Sequence, residues 1–215
     1  MATQRTIRIT GKEYTAFDDA YDWFNQRLFE GRLPPCLITL QRKAKSHGYF
    51  ANNRFGHRVE TAAVTDELAL NPDTFDNRSD KAILSTLVHE MAHCFQQHFG
   101  TPSRLGYHNR EWAAHMIAIG LMPSDTGAAG GRQTGQRISH YVIEGGPFDR
   151  AVEALLATSF RLNWQSAAPA SQAGKGAKER SKTKYTCPSC GQNAWAKPAA
   201  ALVCGACKEE MEAQE

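Results

Sequence analysis

His89-Glu90-Met91-Ala92-His93 is the stretch whose residue types and spacing point most directly to chemistry. Residues four apart on a helix stand one above the other, with about 5–6 Å between their Cβ atoms. Two imidazoles so placed can hold one metal ion. Glu90, one position past His89, projects beside that ion, where a carboxylate can take a proton from water. A second set of metal-binding residues lies near the other end of the chain. Cys187-x-x-Cys190 and Cys204-x-x-Cys207 are two pairs separated by 13 residues. Four thiolates at such spacing close a tetrahedral structural zinc site. The expectation is two zinc ions, one catalytic and one structural.

A catalytic zinc usually takes three protein ligands and leaves one position for water. The metzincin extension would need glycine at 96 and histidine at 99. Gln96 and Phe99 stand there, which excludes that class. Two downstream residues remain as the third ligand, His108 and Glu111. His98 points about 140° around the helix from His93 and reads as a solvated side chain. His115, on one helix face with Glu111, reads as structural. Asp66, Glu67 and Asp80 read as turn and cap residues, and Cys36 and Cys94 as small buried side chains. No oxyanion donor is evident; Tyr107, Arg110 and the Tyr141 loop are the candidates.

These residues need rigid elements to hold them. Ile83, Leu84, Leu87, Val88, Met91 and Ala92 recur at helical spacing, Ser79-Asp80 supplies a cap, and no proline or glycine falls within 81–99. This predicts the motif helix from Lys81 to Phe99. An amphipathic helix is expected from Phe17 to Phe29, ended by Gly31 and Pro34-Pro35. Leu37–Leu40, Tyr49-Phe50 and Ala63–Leu70 read as short strands. A further helix runs from about His108 to Leu121, and a last one from Pro147 to Leu162. Between them lies a glycine-rich segment, 122–146, with a short strand at Ser139–Ile143. It lacks the lysine and Ser/Thr of a P-loop and reads as a loop or hairpin near the site.

Composition sets the frame. Of the 215 residues, 41% are hydrophobic and 22% charged, with a net charge of +3, as in a soluble globular protein. No apolar run approaches the roughly 20 residues needed to cross a membrane. The first residues lack a secretory apolar segment, so the expected location is cytoplasmic. In a reducing compartment, paired cysteines read as metal ligands rather than disulfides. Residues 165–184 are rich in Ala, Ser, Gly, Gln and Lys and read as a flexible linker. Lys175, Lys178, Arg180, Lys182 and Lys184 make it basic, against the single acid Glu179. The expected organisation is a metalloprotease domain at 1–164, the linker at 165–184 and a four-cysteine zinc ribbon at 185–210. Trp195, Lys197 and Lys208, with the basic linker, suit nucleic acid: lysines neutralise phosphates and an indole stacks on a base. The competing reading is an indole packed in the ribbon's own core.

The ordered blocks Phe24–Phe29, Gly31-Arg32-Leu33-Pro34, Ile38-Thr39-Leu40, Gly48-Tyr49-Phe50, Leu70-Asn71-Pro72, Leu87–His93 and Gly106–Trp112 resemble the SprT-like metalloproteases, which include the bacterial SprT and eukaryotic Spartan proteins. The resemblance spans roughly Tyr14 to Leu121 and rests on the order of the blocks. It implies an α+β, zincin-like domain with His108 as third zinc ligand and Trp112 as the aromatic after it. Asn109 departs from the glycine common at that place in the family. The resemblance also implies a trailing zinc ribbon, a protein substrate and DNA as partner, since Spartan-like proteases degrade proteins crosslinked to DNA. The expected activity is zinc-dependent endopeptidase. Two competing readings are a catalytically silent DNA-binding or regulatory protein and a zinc aminopeptidase with Glu111 as ligand.

Overall fold

The computed structural model describes residues 9–167 and 182–214. The chain divides into two compact units, Met1–Ala167 and Ala168–Glu215. Of the basic linker, Lys175, Lys178 and Arg180 lie outside the described residues.

The first unit is a mixed α/β assembly of four helices and two small sheets. Helix α1, Ile9–Leu28, presents Phe17, Ala20, Tyr21 and Phe24 to the core. It starts eight residues before the apolar pattern does, because its first turns run exposed, with Ile9 at 58%. Strands β1 (Cys36–Leu40), β2 (Gly48–Gly56) and β3 (Val64–Leu70) form a sheet in the order β1-β3-β2. The β1 pairing is parallel and the β2 pairing antiparallel. A register irregularity between Ala51 and Phe55 bends β2.

Helix α2, Asp80–Phe99, carries the motif. Ser79 caps it, its hydroxyl accepting the Ala82 N–H at 3.2 Å. Its residues 83–92 are all buried, so this stretch lies inside the unit and the helix is exposed only towards its ends. Gly48 lets β2 approach it: a Cβ there would lie 2.7 Å from the Ala69 carbonyl and 3.3 Å from Glu90 Cγ.

Helix α3, Arg110–Ala118, is capped by Asn109, whose side chain accepts the Trp112 N–H. It ends sooner than expected, because Gly120 turns the chain into strand β4, Leu121–Ser124. That strand pairs antiparallel with β5, Ser139–Val142, so the glycine-rich segment is the connection of a β4–β5 hairpin. Helix α4, Pro147–Leu156, stops short of Leu162. There the Thr158 hydroxyl donates to Leu155 O and accepts from Phe160 N, competing with the helical ladder. Phe24 stacks on Phe148 with centroids 5.6 Å apart, joining α1 to α4. Each fully buried Leu or Phe of this core contributes about 1.5–3 kcal/mol.

The second unit is a three-stranded sheet, β6 (Thr183–Thr186), β7 (Asn193–Ala196) and β8 (Glu212–Gln214), in the order β7-β6-β8. Its buried apolar residues are Tyr185, Cys187, Cys204 and Met211. Among the described residues, no helix is long and apolar enough to cross a membrane.

Candidate metal centres

Helix geometry alone brings His89 and His93 together: they lie one turn apart on α2, ring centroids 5.1 Å apart. His108 arrives from the turn just before the Asn109 cap of α3. One nitrogen of each ring lies within 4.8 Å of the others. Trp112, completely buried, braces all three. It stacks on His93 at 4.9 Å and 16°, and sets its edge against His89 and His108.

The tautomers follow from what the rings touch. His108 Nδ1 donates to Gly135 O at 3.1 Å, which leaves Nε2 bare. For His89 the direction is fixed at the far end of a chain of bonds. The Ser85 hydroxyl donates to Ala82 O at 2.9 Å. It therefore accepts from His140 Nε2, also at 2.9 Å. His140 Nδ1 is then bare and accepts from His89 Nδ1 at 3.0 Å. His89 Nε2 is left free. Metal-ligating histidines are held by such outer partners. Both partners here, Gly135 and His140, come from the β4–β5 segment. Sequence reasoning missed them; the only signal was a histidine inside a short strand after a glycine-rich stretch.

Electrostatics suit a cation. Burial drives His89 well below its ordinary pKa, with the neighbouring His140, His93 and His108 adding to the effect. Burial takes His93 down to about 3 and His140 to about 4, and lowers His108. Neutral imidazoles are the form a metal needs. Glu90 behaves oppositely: burial pushes its carboxyl up to about 8, against the pull of Lys43 and the Phe50 backbone. A dication beside it would favour the carboxylate. The three imidazole donors, proton-free and with two tautomers set, fit a divalent zinc-class ion. The residues open onto a cleft of about 1390 Å³, lined by the β1–β2 connection, α2, the 102–108 turn and the β5 strand. Tyr107 and Tyr141 line it as well, and Arg110 is not among its lining residues.

Other polar residues stand elsewhere. Glu111 accepts the Thr101 N–H at 2.9 and 3.1 Å through its two oxygens and is not part of the histidine cluster. His115 stacks on Phe95 at 4.1 Å. His98 is not simply solvated: its Nε2 donates to Asp66 Oδ2 at 2.7 Å. Asp66 and Glu67 are buried strand residues rather than turn residues. Glu67 accepts from Thr39 and Tyr49, which satisfies a carboxylate inside the sheet. Asp80 lies in the first turn of α2.

In the second unit, the sulfurs of Cys187, Cys190, Cys204 and Cys207 lie within 4.8 Å of one another. The two pairs are built alike. Gly191 N donates to Cys187 O at 2.9 Å, and Lys208 N to Cys204 O at 2.8 Å. Gly191 and Lys208 both take positive φ, +71° and +59°. That conformation comes freely to glycine and costs a lysine about a kcal/mol or more. Each first cysteine then donates its N–H onward, to Gln192 O and Glu209 O. The Cys207 and Ala206 N–H groups lower the Cys204 thiol to about 7. Four soft donors in two matched turns fit a structural zinc ion. Trp195 is 63% exposed and stands opposite Lys184 in the β6–β7 register, while Tyr185 fills the core. The indole is thus not packed inside the ribbon. Lys182, Lys184, Lys197 and Lys208 are exposed as well.

A mixed α/β unit that gathers a helix-borne histidine pair, a third histidine and a buried glutamate has the make-up of a metalloprotease-type domain. The SprT-like family model matches residues 17–131, just over half of the chain, and the chain belongs to the SprT-like family. An uncharacterized protein in the mucB 3' region of Salmonella typhimurium is 46% identical over 59 residues, 27% of this chain and 78% of that protein. No solved structure matches.

Proposed function

We propose that this protein is a zinc-dependent endopeptidase of the SprT-like type. The observation that carries the reading is Glu90, buried one residue past His89 and lining the same cleft as the three clustered histidines. When bound, zinc lowers the pKa of a coordinated water from about 15.7 toward about 7 and polarises a carbonyl. His89, His93 and His108 would hold the ion. His140 and Gly135 fix the ring faces that His89 and His108 turn to it. Glu90 takes the water's proton and passes it to the leaving amine. Trp112 keeps the floor of the site dry. A silent, purely regulatory protein would have no use for a carboxylate at that place. The aminopeptidase alternative lacks its ligand, because Glu111 is engaged with Thr101.

Two zinc ions, one per unit, match the donor sets. We infer that the substrate is a protein held on DNA, encountered in the cytoplasm. Eight of the cleft's lining residues are Lys or Arg, among them Arg42, Lys43, Arg78 and Arg137, against two acids, Glu90 and Asp125. A cationic cleft favours a polyanion nearby. On the ribbon, Trp195 with Lys184 and Lys197 offers a stacking face beside positive charge. The chain organisation follows: protease domain, basic connection, ribbon.

Glu90→Gln is the test. Peptide cleavage falls by about a thousandfold or more, while zinc content stays at the wild-type value. Full activity in that variant would refute the assigned role. Measuring cleavage of a DNA-bound protein against the same protein free, at low and high salt, tests the substrate.

A further inference from the structure

The helix that carries His89 and His93 also carries Cys94, which is completely buried. Its Sγ lies 3.7 Å from that of Cys36, the first residue of β1. Asp66 of β3 reaches the same place, its Oδ2 4.0 Å from Cys94 Sγ. One donor atom from each of the three residues lies within 4.8 Å of the others. Neither the histidine centre nor the ribbon uses any of them.

The sulfur–sulfur separation is that of two thiolates on one ion. Zn–S bonds of about 2.3 Å at tetrahedral angles set an S–S edge of about 3.8 Å. Cys36 and Cys94 match it, and so do Cys190 and Cys204 of the ribbon, also 3.7 Å apart. An S–O edge would be about 3.6 Å, a small closure from the observed 4.0 Å. The carboxylate is aimed from both ends. Asp66 Oδ1 accepts the Asn53 N–H at 2.7 Å, and Oδ2 accepts from His98 Nε2 at 2.7 Å. Carboxylate ligands are oriented by outer partners of this sort. Asn53 sits within the irregularity of β2, so that bend has a local use: it delivers an N–H to Asp66. Cys36 is only partly buried, which leaves an ion a way in.

We propose that Cys36, Cys94 and Asp66 form a third cation site, suited to zinc or a softer ion, distinct from the histidine centre and the ribbon. Two thiolates and a carboxylate select zinc-class ions over calcium or magnesium. Binding replaces two S–H bonds by two metal–sulfur bonds and releases two protons to solvent. The ion would tie the start of β1, the middle of the sheet and α2 together one residue from His93.

The experiment uses the reduced full chain, loaded with zinc and freed of excess. Cys36→Ala/Cys94→Ala is expected to hold one zinc fewer per chain than the wild type, whatever the absolute count. Loaded with cadmium, the wild type should show thiolate-to-metal absorption from six cysteines, and the variant from four. Equal zinc contents, or a wild-type cadmium signal of only four thiolates, overturns the proposal. If the double variant does not fold, the wild-type cadmium signal decides alone.

Discussion

The histidine centre and the cysteine centre are built by opposite strategies. The ribbon's four ligands come from two near-identical turns, and the backbone bonds that shape each turn lie within about five residues of its cysteines. Around them there is little else to fold: four buried apolar residues, two of which are themselves ligands. The histidine centre gathers its imidazoles from one helix and a distant turn, and its supporting bonds from a hairpin 51 and 27 residues further on. It sits in a unit with 27 buried apolar residues in one cluster. On the proposed reading, metal would make the second unit, whereas the first unit folds first and makes its metal site.

Chelation should separate the two most sharply. Structural zinc in ribbon-sized modules supplies about 10–16 kcal/mol of folding energy, far more than so small a core provides. Stripping zinc from the full chain is expected to leave residues 182–214 exchanging their amide hydrogens like an unfolded chain. Helices α1 and α2 should keep their protection. Loss of protection in both units together, or in neither, would break the comparison.

A smaller effect sharpens it. If the histidine centre depends on remote support, His140→Ala should weaken its zinc affinity about 10–100-fold, the usual cost of losing an outer partner. The ribbon's zinc should be unaffected. His57→Ala, a change in an exposed strand-end histidine, serves as the control and should alter neither. Competition with a graded zinc chelator reads all three. An unchanged affinity in His140→Ala would mean that the bond chain from Ser85 to His89 does not set the ligand.

The same contrast explains what was legible in the sequence. Local patterns were readable: the α2 helix, its Ser79 cap, the histidine pair four apart and the cysteine pairs. The three short strands were placed to within a few residues, apart from the far end of β2. The third histidine came from the order of family blocks, because His108 and Glu111 are equally plausible by spacing alone. What escaped depends on contacts across the fold. Strand β4 was hidden because Leu121 reads as the end of a helix and Met122–Ser124 as the start of the glycine-rich loop, until the chain turns at Gly120. His140 and Gly135 have no meaning until β5 is paired with β4 and laid over α2. Asp66 and Glu67 looked like turn residues, since a burial that depends on Asn53, His98, Thr39 and Tyr49 cannot be read from neighbours in sequence.

The smallest effect concerns pH, and its sign differs between the groups of one site. In the metal-free protein, His93 protonates only near pH 3 and His140 near pH 4, while the unfolded chain takes up those protons near 6.5. His89 and His108 are shifted the same way. Between about pH 4.5 and 6.5 the unfolded state therefore binds more protons, and stability falls as pH falls. Glu90 acts the other way. Its folded carboxyl holds a proton up to about 8, whereas the unfolded one releases it near 4.5. Its contribution is full below the unfolded value and is lost as pH rises through about 8. At 6.5 the unfolded imidazoles are still half protonated, so Glu90 outweighs them only above about pH 7, and from there to about 8 stability declines with rising pH by at most about 1.4 kcal/mol per unit. A decline of that size moves the midpoint of thermal unfolding by a few degrees. Chelated protein should thus melt highest near about pH 7, and Glu90→Gln should remove the decline on the alkaline side while leaving the acid side intact. Zinc in the histidine centre should flatten the alkaline side too, because the ion's charge keeps Glu90 ionised in the folded state. An alkaline decline that survives both Glu90→Gln and zinc would assign it to some other group, and the buried glutamate would lose its place as the group opposed to the histidines.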